Sequence, residues 1–193
     1  MLKNSTNQQN SAKIEYHISQ MLTLIGENNK REGLLETPAR VAKSYQKLFS
    51  GYQQDLKSLV TVFKNEGYDE MVISKNIEFY STCEHHMLPF LGKVHIGYIP
   101  GNKIIGLSKL PRIVEIFSRR LQNQERMTSQ IADALMDLLS PKGVGVVVEA
   151  QHLCMMARGV EKQNAVVLTS AVRDLFKNNL NTRSEFLRLI GKS

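Results

Sequence analysis

The stretch KVHIGYI, residues 93–99, decides the fold because it alternates strictly along its length. Its valine, isoleucine and tyrosine fall on one face of an extended chain, and its histidine and glycine fall on the other. This period of two predicts a strand that packs its apolar face on a core. Residues 71–80, MVISKNIEFY, are partly alternating and rich in strand-forming residues, and residues 144–150 and 165–169 are two further predicted strands.

Apolar residues recur at helical spacing on both sides of these strands. The predicted helices cover residues 11–27, begin again at 37, and then cover 111–119, 125–139 and 183–190. The order is helices, two strands, two helices, two strands and a helix, with no flexible linker and no repeat. We therefore predict an α+β fold, in which an antiparallel sheet carries helices on one face and follows N-terminal helices.

Three regions are expected along the chain. Residues 1–10 are polar and without periodicity, and we expect them to be disordered. Residues 11–70 form the expected N-terminal helical region, and residues 71–193 form the domain that holds the sheet. The polar N-terminus does not resemble a secretory signal, and the apolar runs are far too short to cross a membrane, so we expect a cytoplasmic protein.

The charge of the chain indicates an anionic partner. Lysine and arginine number 25 against 18 aspartates and glutamates, which gives a formal net charge of +7. Tryptophan is absent, no basic run interleaves with aromatic residues, and neither a helix-turn-helix signature nor a paired-cysteine zinc finger is found. A phosphorylated metabolite is therefore at least as natural a partner as nucleic acid.

Two clusters of cysteine and histidine follow predicted strands, CEHH at residues 83–86 and HLC at residues 152–154. Two residues separate Cys83 from His86, a turn spacing that lets both reach one ion, and Cys154 would add a third ligand. A lone cysteine more often packs as a small apolar residue, but two such clusters at strand ends favour a metal site. Three protein ligands leave Zn²⁺ one position for water, as in catalytic sites.

Two further imidazoles accompany these candidate ligands. His152 is two residues from Cys154, so an extended segment would turn both to the same side, and His85 is next to His86. A neutral imidazole can take up or return protons near pH 7, and zinc lowers the pKa of its bound water to about 7. This combination is typical of a hydrolase. The alternative is a closed structural zinc site with His85 or His152 as the fourth ligand.

Basic residues near the start of a predicted helix indicate a phosphate site. Ser108, Lys109 and Arg112 combine a hydroxyl and two cations with the free N–H groups of the helix start. Surface cations at such positions are often merely solvated, so the signal is weak alone. Arg158, four residues after the second cysteine, brings a cation within reach of the metal. Arg40 is compatible with the same role.

Gln124 and Glu125 stand at the start of the helix predicted over 125–139. A carboxylate there is ordinarily favoured by the helix dipole. It could instead accept the ring N–H and the exocyclic amine of guanine together. The spacing alone does not favour guanine recognition over an ordinary carboxylate at a helix start.

Four motifs resemble those of the GTP cyclohydrolase I family, in the same order. They are STCEHH at 81–86, GLSK at 106–109, QER at 124–126 and HLCMMARG at 152–159. ETP at 36–38 and NTRSEFL at 181–187 are also similar to family patterns. The pairing of Cys-Glu-His-His with His-x-Cys is the specific part of this resemblance, which runs from about the first helix to the C-terminus.

The resemblance implies a fold, an assembly and an activity. The fold would be the tunnelling fold, an antiparallel four-stranded sheet with two helices on one face. The assembly would be a homodecamer of two pentamers, with active sites at subunit interfaces. The activity would be zinc-dependent hydrolysis of cyclic amidine C–N bonds in GTP, with ring rearrangement to 7,8-dihydroneopterin triphosphate and formate, the first step of tetrahydrofolate or biopterin synthesis. GTP, rather than nucleic acid or a membrane, would be the partner, and allosteric control is left open.

The resemblance also implies roles for individual residues. The zinc ligands would be Cys83, His86 and Cys154. The proton-transfer groups would be His85 and His152. The guanine edge would be held by Glu125 with Gln124 beside it. The triphosphate would be bound by Ser108, Lys109, Arg112, Arg158 and, less securely, Arg40.

Three rival functions remain open at this point. Another tunnelling-fold enzyme, acting on a pterin or deazaguanine, usually holds zinc through three histidines or uses a cysteine nucleophile without metal, so the Cys-x-x-His and His-x-Cys clusters argue against it. A catalytically silent homologue would bind GTP or a protein, and loss of His85 or His152 would favour it, yet both are present. A basic nucleic-acid module with structural zinc would bind nucleic acid in a salt-dependent manner and would not turn over GTP.

Overall fold

A computed structural model describes residues 2–191, which form two compact units that divide between Ser50 and Gly51. The first unit contains helix α1, Leu2–Leu24, a 3₁₀ turn, Glu32–Leu34, and helix α2, Thr37–Leu48. The helix therefore begins at Leu2 and not near residue 11, and residues 2–10 differ from the expected disorder. These residues contain neither glycine nor proline, so nothing in their backbone stops a helix. Residue 1 lies outside the described residues.

The second unit holds the sheet. Its strands are β1 Val62–Lys64, β2 Val72–Cys83, β3 Pro89–Ile99, β4 Lys103–Ile105, β5 Leu121–Gln122, β6 Gly143–His152 and β7 Val167–Asp174. Its helices are α3 Leu56–Leu59, α4 Lys109–Ser118, α5 Gln124–Leu139, α6 Leu153–Met156, α7 Leu175–Asn178 and α8 Leu180–Ile190. A 3₁₀ turn, Ser50–Gln53, includes the point at which the chain passes from the first unit to the second.

The main sheet has the order β5-β2-β3-β6-β7. Strands β2, β3, β6 and β7 pair antiparallel, and the two-residue β5 adds in parallel beside the end of β2. Helices α4 and α5 pack on the face that carries Val94, Ile96 and Tyr98, all at most 1% exposed. The predicted four-stranded antiparallel sheet with two helices on one face is confirmed, and β5 is an addition to it.

The opposite face of the sheet is covered in part by α7 and α8. Phe176 and Phe186 are fully buried there beside Val147. Gly97 and Gly145 make this contact close: a Cβ on Gly97 would lie 2.7 Å from a ring carbon of Phe186, and one on Gly145 would lie 2.5 Å from a ring carbon of Phe176. The glycine in the alternating stretch therefore provides space for an aromatic ring.

Residues 51–70 belong with the sheet and not with the N-terminal helices, which corrects the boundary expected at residue 71. The Gly51 amide donates to the Arg119 carbonyl at 3.0 Å, and β1 pairs with β4 so that Val62 lies opposite Ile105. These are long-range backbone contacts, which the local sequence pattern does not reveal. No helix within residues 2–191 is long and apolar enough to cross a membrane.

Candidate active site

A tight loop between β2 and β3 brings Cys83 and His86 together. The Cys83 amide donates to the Leu88 carbonyl, and the Met87 amide donates to the Cys83 carbonyl, each at 2.8 Å. Met87 has a positive φ of 54°, which lets the chain reverse within residues 84–88. The loop is short because β2 and β3 are neighbours in the sheet.

Cys154 reaches the same place from the far end of β6. The β3–β6 ladder sets Phe90 opposite His152, so α6 starts beside the β2–β3 loop. The Sγ atoms of Cys83 and Cys154 are 4.0 Å apart, and His86 Nδ1 lies 3.8 Å from Cys83 Sγ. All three ligand atoms lie within 4.8 Å of one another.

This group fits a metal ion. In a tetrahedral zinc site with Zn–S bonds of about 2.3 Å, two sulfurs are separated by about 3.8 Å. The observed 4.0 Å between the two thiols is close to that value. A Cys₂His set is typical of catalytic zinc, in which water or substrate takes the fourth position.

His85 lies beside the three ligands and is not one of them. Its Nδ1 is 3.8 Å from Cys83 Sγ, but no nitrogen of its ring joins the group that could hold a metal ion. Its side chain is 64% exposed, and its Nε2 lies 3.8 Å from Glu84 Oε1. The ring is therefore accessible from solvent at the edge of the metal group.

His152 is held in a fixed orientation. Its ring stacks on Phe90, with centroids 4.6 Å apart and planes 3° from parallel, and its Nε2 lies 2.8 Å from Gln124 Oε1. Burial lowers the pKa of His152, because the charged ring loses hydration, while the Glu125 carboxylate acts in the opposite direction. The neutral ring is thus the favoured form at pH 7.

Gln124 determines which nitrogen of His152 carries the proton. Its amide nitrogen donates to the Val148 carbonyl at 3.1 Å, the Val167 carbonyl at 3.0 Å and Thr169 Oγ1 at 3.1 Å. These acceptors assign the amide orientation, so Gln124 Oε1 is the atom that faces His152. His152 Nε2 therefore donates, and Nδ1 keeps the lone pair that can accept a proton. The amide nitrogen of Gln124 has all its partners inside the protein.

A cavity of about 220 Å³ adjoins these residues. It is lined by every predicted zinc, proton-transfer and guanine residue: Cys83, His86, Cys154, His85, His152, Gln124 and Glu125. Ligand pockets usually measure roughly 300–1,000 Å³, so this space suits a base better than a whole nucleoside triphosphate. Glu125, in the first turn of α5, presents an exposed carboxylate to it.

The residues predicted to bind phosphate at the start of α4 do not line this cavity. The Ile105 amide donates to Tyr98 Oη at 3.4 Å, and Tyr98 pairs with Val72, the first residue of β2. The start of α4, four residues after Ile105, therefore lies at the other end of the sheet from Cys83. Along β2, the distance from Val72 to Cys83 in an extended strand is roughly 36 Å. Within one chain, Ser108, Lys109 and Arg112 do not meet the metal group.

The other two candidate phosphate-binding residues, Arg158 and Arg40, lie in different parts of the chain. The charge of Arg158 acts on Cys154, whose thiol pKa is raised chiefly by burial and also by Cys83, with Arg158 opposing. The role of Arg158 toward the metal group stays a prediction from its spacing. Arg40 belongs to the first unit, where its guanidinium lies 2.6 Å from Glu36 Oε2.

Three residues at the site have no role in the sequence analysis. Glu84 lies between Cys83 and the two histidines, and its carboxylate accepts hydrogen bonds from Arg126 and Asn123. Both partners flank Gln124 and Glu125. Glu84 and Arg126 lie inside two of the quoted motifs, and Asn123 directly precedes one of them. That position was the available signal, but the sequence does not show that a carboxylate and a guanidinium 42 residues apart form an ion pair.

Comparison with known proteins identifies close relatives. A family model described as GTP cyclohydrolase I matches residues 14–191. GTP cyclohydrolase 1 of Wolinella succinogenes is 60% identical over 175 residues, covering 90% of this chain and 94% of that protein. GTP cyclohydrolase 1 of Chlorobaculum tepidum is 60% identical over 173 residues (89% and 77%), and that of Campylobacter concisus is 55% identical over 178 residues (91% and 93%).

Proposed function

The chain belongs to the GTP cyclohydrolase I family, and on this premise we propose that it is a zinc-dependent GTP cyclohydrolase. Its reaction would convert GTP and water to 7,8-dihydroneopterin triphosphate and formate, at the entry to tetrahydrofolate or biopterin synthesis in the cytoplasm. The observation that carries this proposal is the group of Cys83, His86 and Cys154, whose ligand atoms lie within 4.8 Å of one another beside the cavity.

The three ligands account for the metal part of the proposal. A zinc ion held by Cys83, His86 and Cys154 would supply Lewis-acid activation of water near neutral pH. Their burial decreases from Cys83, which is buried, through Cys154 to His86, which is exposed. The protein thus holds the sulfurs firmly and leaves the histidine side open to the cavity.

His152 is suited to move a proton during the opening of the guanine imidazole ring. Its Nδ1 lone pair could accept a proton from water as water adds at carbon 8, and could return it to the ring nitrogen that leaves. Gln124 and Phe90 keep the ring in one orientation for both transfers. His85, exposed at the edge of the cavity, is the proposed second proton-transfer group and the exchange route to solvent.

Glu125 is the proposed recognition group for guanine. One carboxylate can accept from the N1–H and the exocyclic amine together, a pair of donors that adenine does not offer. The position of Glu125 on the cavity and beside His152 supports this role. Gln124 lines the cavity beside Glu125, although its amide nitrogen already donates to acceptors within the protein.

The triphosphate would be bound by residues of more than one chain. Arg158 follows the ligand Cys154 by four residues in the same chain, whereas Ser108, Lys109 and Arg112 lie at the other end of the sheet. We propose that these three serve the site of a neighbouring copy in a homodecamer of two pentamers, and that Arg40 adds a further cation. The net charge of +7 suits a ligand that carries several negative charges.

The proposal is tested by incubating purified, zinc-quantified protein with GTP and following formate release together with pterin absorbance or fluorescence. Formate and a pterin product, both lost on chelation and restored by Zn²⁺, are expected. A protein that carries about one zinc per chain and releases neither product would contradict the assigned activity. GTP that is consumed equally well after chelation would contradict the metal requirement alone.

A further inference from the structure

The loop that carries the metal ligands is fastened to α5 through one acidic side chain. Glu84 follows Cys83 directly, and its backbone amide donates to the Gln122 carbonyl at 3.0 Å. Its Oε1 accepts from Arg126 Nη1 at 3.2 Å and from Asn123 Nδ2 at 3.2 Å, and its Oε2 accepts from Arg126 Nη2. Both carboxylate oxygens of Glu84 are thus engaged by donors from the start of α5.

Arg126 is itself held in place by groups that do not belong to the loop. Its Nε donates to Gln122 Oε1 at 3.0 Å, and Nη2 also donates to the Leu121 carbonyl at 3.2 Å. Asn123 caps α5 by accepting from the Arg126 amide at 2.8 Å. The guanidinium is therefore a fixed two-point partner for a carboxylate, and not a mobile surface cation.

The network continues into the buried part of the second unit. Gln122 is 1% exposed, and its amide nitrogen donates to the Phe117 carbonyl at 3.0 Å and to Gln130 Oε1 at 2.8 Å. A rigid path thus runs from buried side chains through Gln122 and Arg126 to Glu84. By contrast, the imidazole of His86, two residues further along the loop, is exposed, and its recorded contacts are with Cys83 and the ring of His85 in the same loop.

We propose that Glu84 is a positioning residue for the metal: its carboxylate, held by Arg126 and Asn123, places His86 against Cys83 and Cys154 and thereby sets the affinity for Zn²⁺. The inference rests on the metal site of the proposed function. Groups that orient metal ligands typically contribute about 10–100-fold to metal affinity. Glu84 also places a negative charge between Arg126 and the ligands, which offsets the repulsion that the guanidinium would exert on a cation.

The chain offers a matched control in a second ion pair that joins α5 to the sheet. Arg173 Nε on β7 lies 2.7 Å from Asp133 Oδ1 on α5. The side chains of this pair are 32% and 57% exposed, against 43% and 27% for Arg126 and Glu84. Glu84 and Arg126 form a two-point contact within a network, the arrangement in which an ion pair can add to folding stability, so the stability of each metal-free variant is measured beside its zinc affinity. The two pairs differ in that Asp133 carries no link to the ligand loop.

The test compares the intact chain with E84Q, D133N and R126K. Zinc affinity is measured by competition with a chromophoric chelator, the absorption spectrum is recorded for Co²⁺-substituted protein, and thermal unfolding is recorded for metal-free protein. E84Q is expected to raise the Kd for zinc about 10–100-fold and to change the Co²⁺ spectrum. R126K keeps the charge but loses the two-point contact, so its Kd should lie between those of E84Q and the intact chain. D133N should leave Kd and spectrum unchanged, and the loss of zinc affinity in E84Q should exceed any loss of stability of its metal-free protein.

The outcomes separate the inference from the proposed function. If the intact chain binds zinc and E84Q and R126K bind it equally well with the same Co²⁺ spectrum, the positioning role is overturned while the metal site stands. If E84Q weakens zinc binding only to the extent that it destabilises the metal-free protein, Glu84 is structural and the inference is again wrong. Failure of the intact chain to bind zinc would overturn the metal site itself.

Discussion

At the residue scale, the chemistry of the cavity depends on imidazoles whose surroundings differ. His152 stacks on Phe90 and is hydrogen-bonded to Gln124, so it has one orientation and one neutral tautomer. His85 is largely exposed, and His86 joins the two cysteines. Three chemically identical side chains within one site are thus suited to three different tasks, because burial and partners differ among them.

His152→Ala is expected to lower turnover of GTP by about 100-fold or more, because general acid–base catalysis commonly contributes that much. Zinc content should be unchanged, since His152 lies beside the ligands and not among them. The measurement is kcat from formate release together with zinc per chain by metal analysis. Cys154→Ser is the comparison variant, which should lose both zinc and activity. Loss of zinc in His152→Ala would show that His152 is a ligand.

Removal of zinc is expected to leave Cys83 and Cys154 able to form a disulfide on oxidation. Their Sγ atoms are 4.0 Å apart, and a small movement would bring them to the bonding distance of about 2.05 Å. Thiol titration with peptide mapping should find a cross-link in the oxidised metal-free protein and two free thiols in the zinc-loaded one. Two free thiols in both forms would contradict the proximity of the cysteines.

At the element scale, the site is assembled by three junctions at one end of the sheet, where its central strands begin or end. The β2–β3 loop supplies Cys83 and His86, the β6–α6 junction supplies His152 and Cys154, and the start of α5 supplies Glu125. The β3–β6 register brings the first two junctions together. The side chain of Asn123 caps α5 by accepting a hydrogen bond from the Arg126 amide, and this cap fixes where the helix starts. It thereby fixes the third junction, which carries Glu125.

The attachment of α8 to the sheet is expected to depend on one aromatic side chain. Phe186 is fully buried beside Phe176 and Val147, whereas Leu180 on the same helix is 78% exposed. Phe186→Ala should lower the free energy of unfolding by about 3–5 kcal/mol through lost burial and a cavity, and Leu180→Ala by less than about 0.5 kcal/mol. Urea unfolding at one protein concentration measures both. Equal effects of the two variants would mean that α8 is not anchored by Phe186.

At the scale of the whole molecule, one chain does not bring all the proposed site residues together. The metal group and the cavity lie at one end of the sheet, and Ser108, Lys109 and Arg112 lie at the other. A cavity of about 220 Å³ also suits the base more than the triphosphate. Both observations support a site completed by a neighbouring copy.

Mixing two inactive variants tests this arrangement. His152→Ala removes the proton-transfer group, and Lys109→Ala removes a phosphate cation, so each variant alone should be nearly inactive. If the two residues of one site come from different chains, equal co-expression should restore activity at about a quarter of the sites, because each site draws its two residues from two independently chosen chains. Assembly size by light scattering controls for failed association. Activity no higher than that of either variant in a mixed assembly of normal size would place both residues in the same chain.

The sequence predicted the helices and strands that are determined by the local spacing of apolar residues. The period of two in residues 93–99 predicted β3, and helical spacing predicted α5 to within one residue of its start. Boundaries set by long-range pairing were missed: residues 51–70 joined the sheet unit, and β7 begins at residue 167 and not at 165. The hydrophobic period is counted over a short stretch of sequence, and that stretch does not show which distant strand will pair with it.

The sequence by itself determined which side chains could bind metal, because cysteine and histidine are the zinc ligands that it offers at turn spacing. It could not determine that Cys154 meets Cys83, which is 71 positions away. The β3–β6 register decided that, since backbone pairing over ten residues leaves the two strand ends no other arrangement. The tertiary structure alone also turned Gln124 inward to His152, because a buried amide must find partners, and joined Glu84 to Arg126 across 42 residues. The types of side chain and their local spacing follow directly from the sequence, whereas contacts between distant side chains follow from burial and strand register.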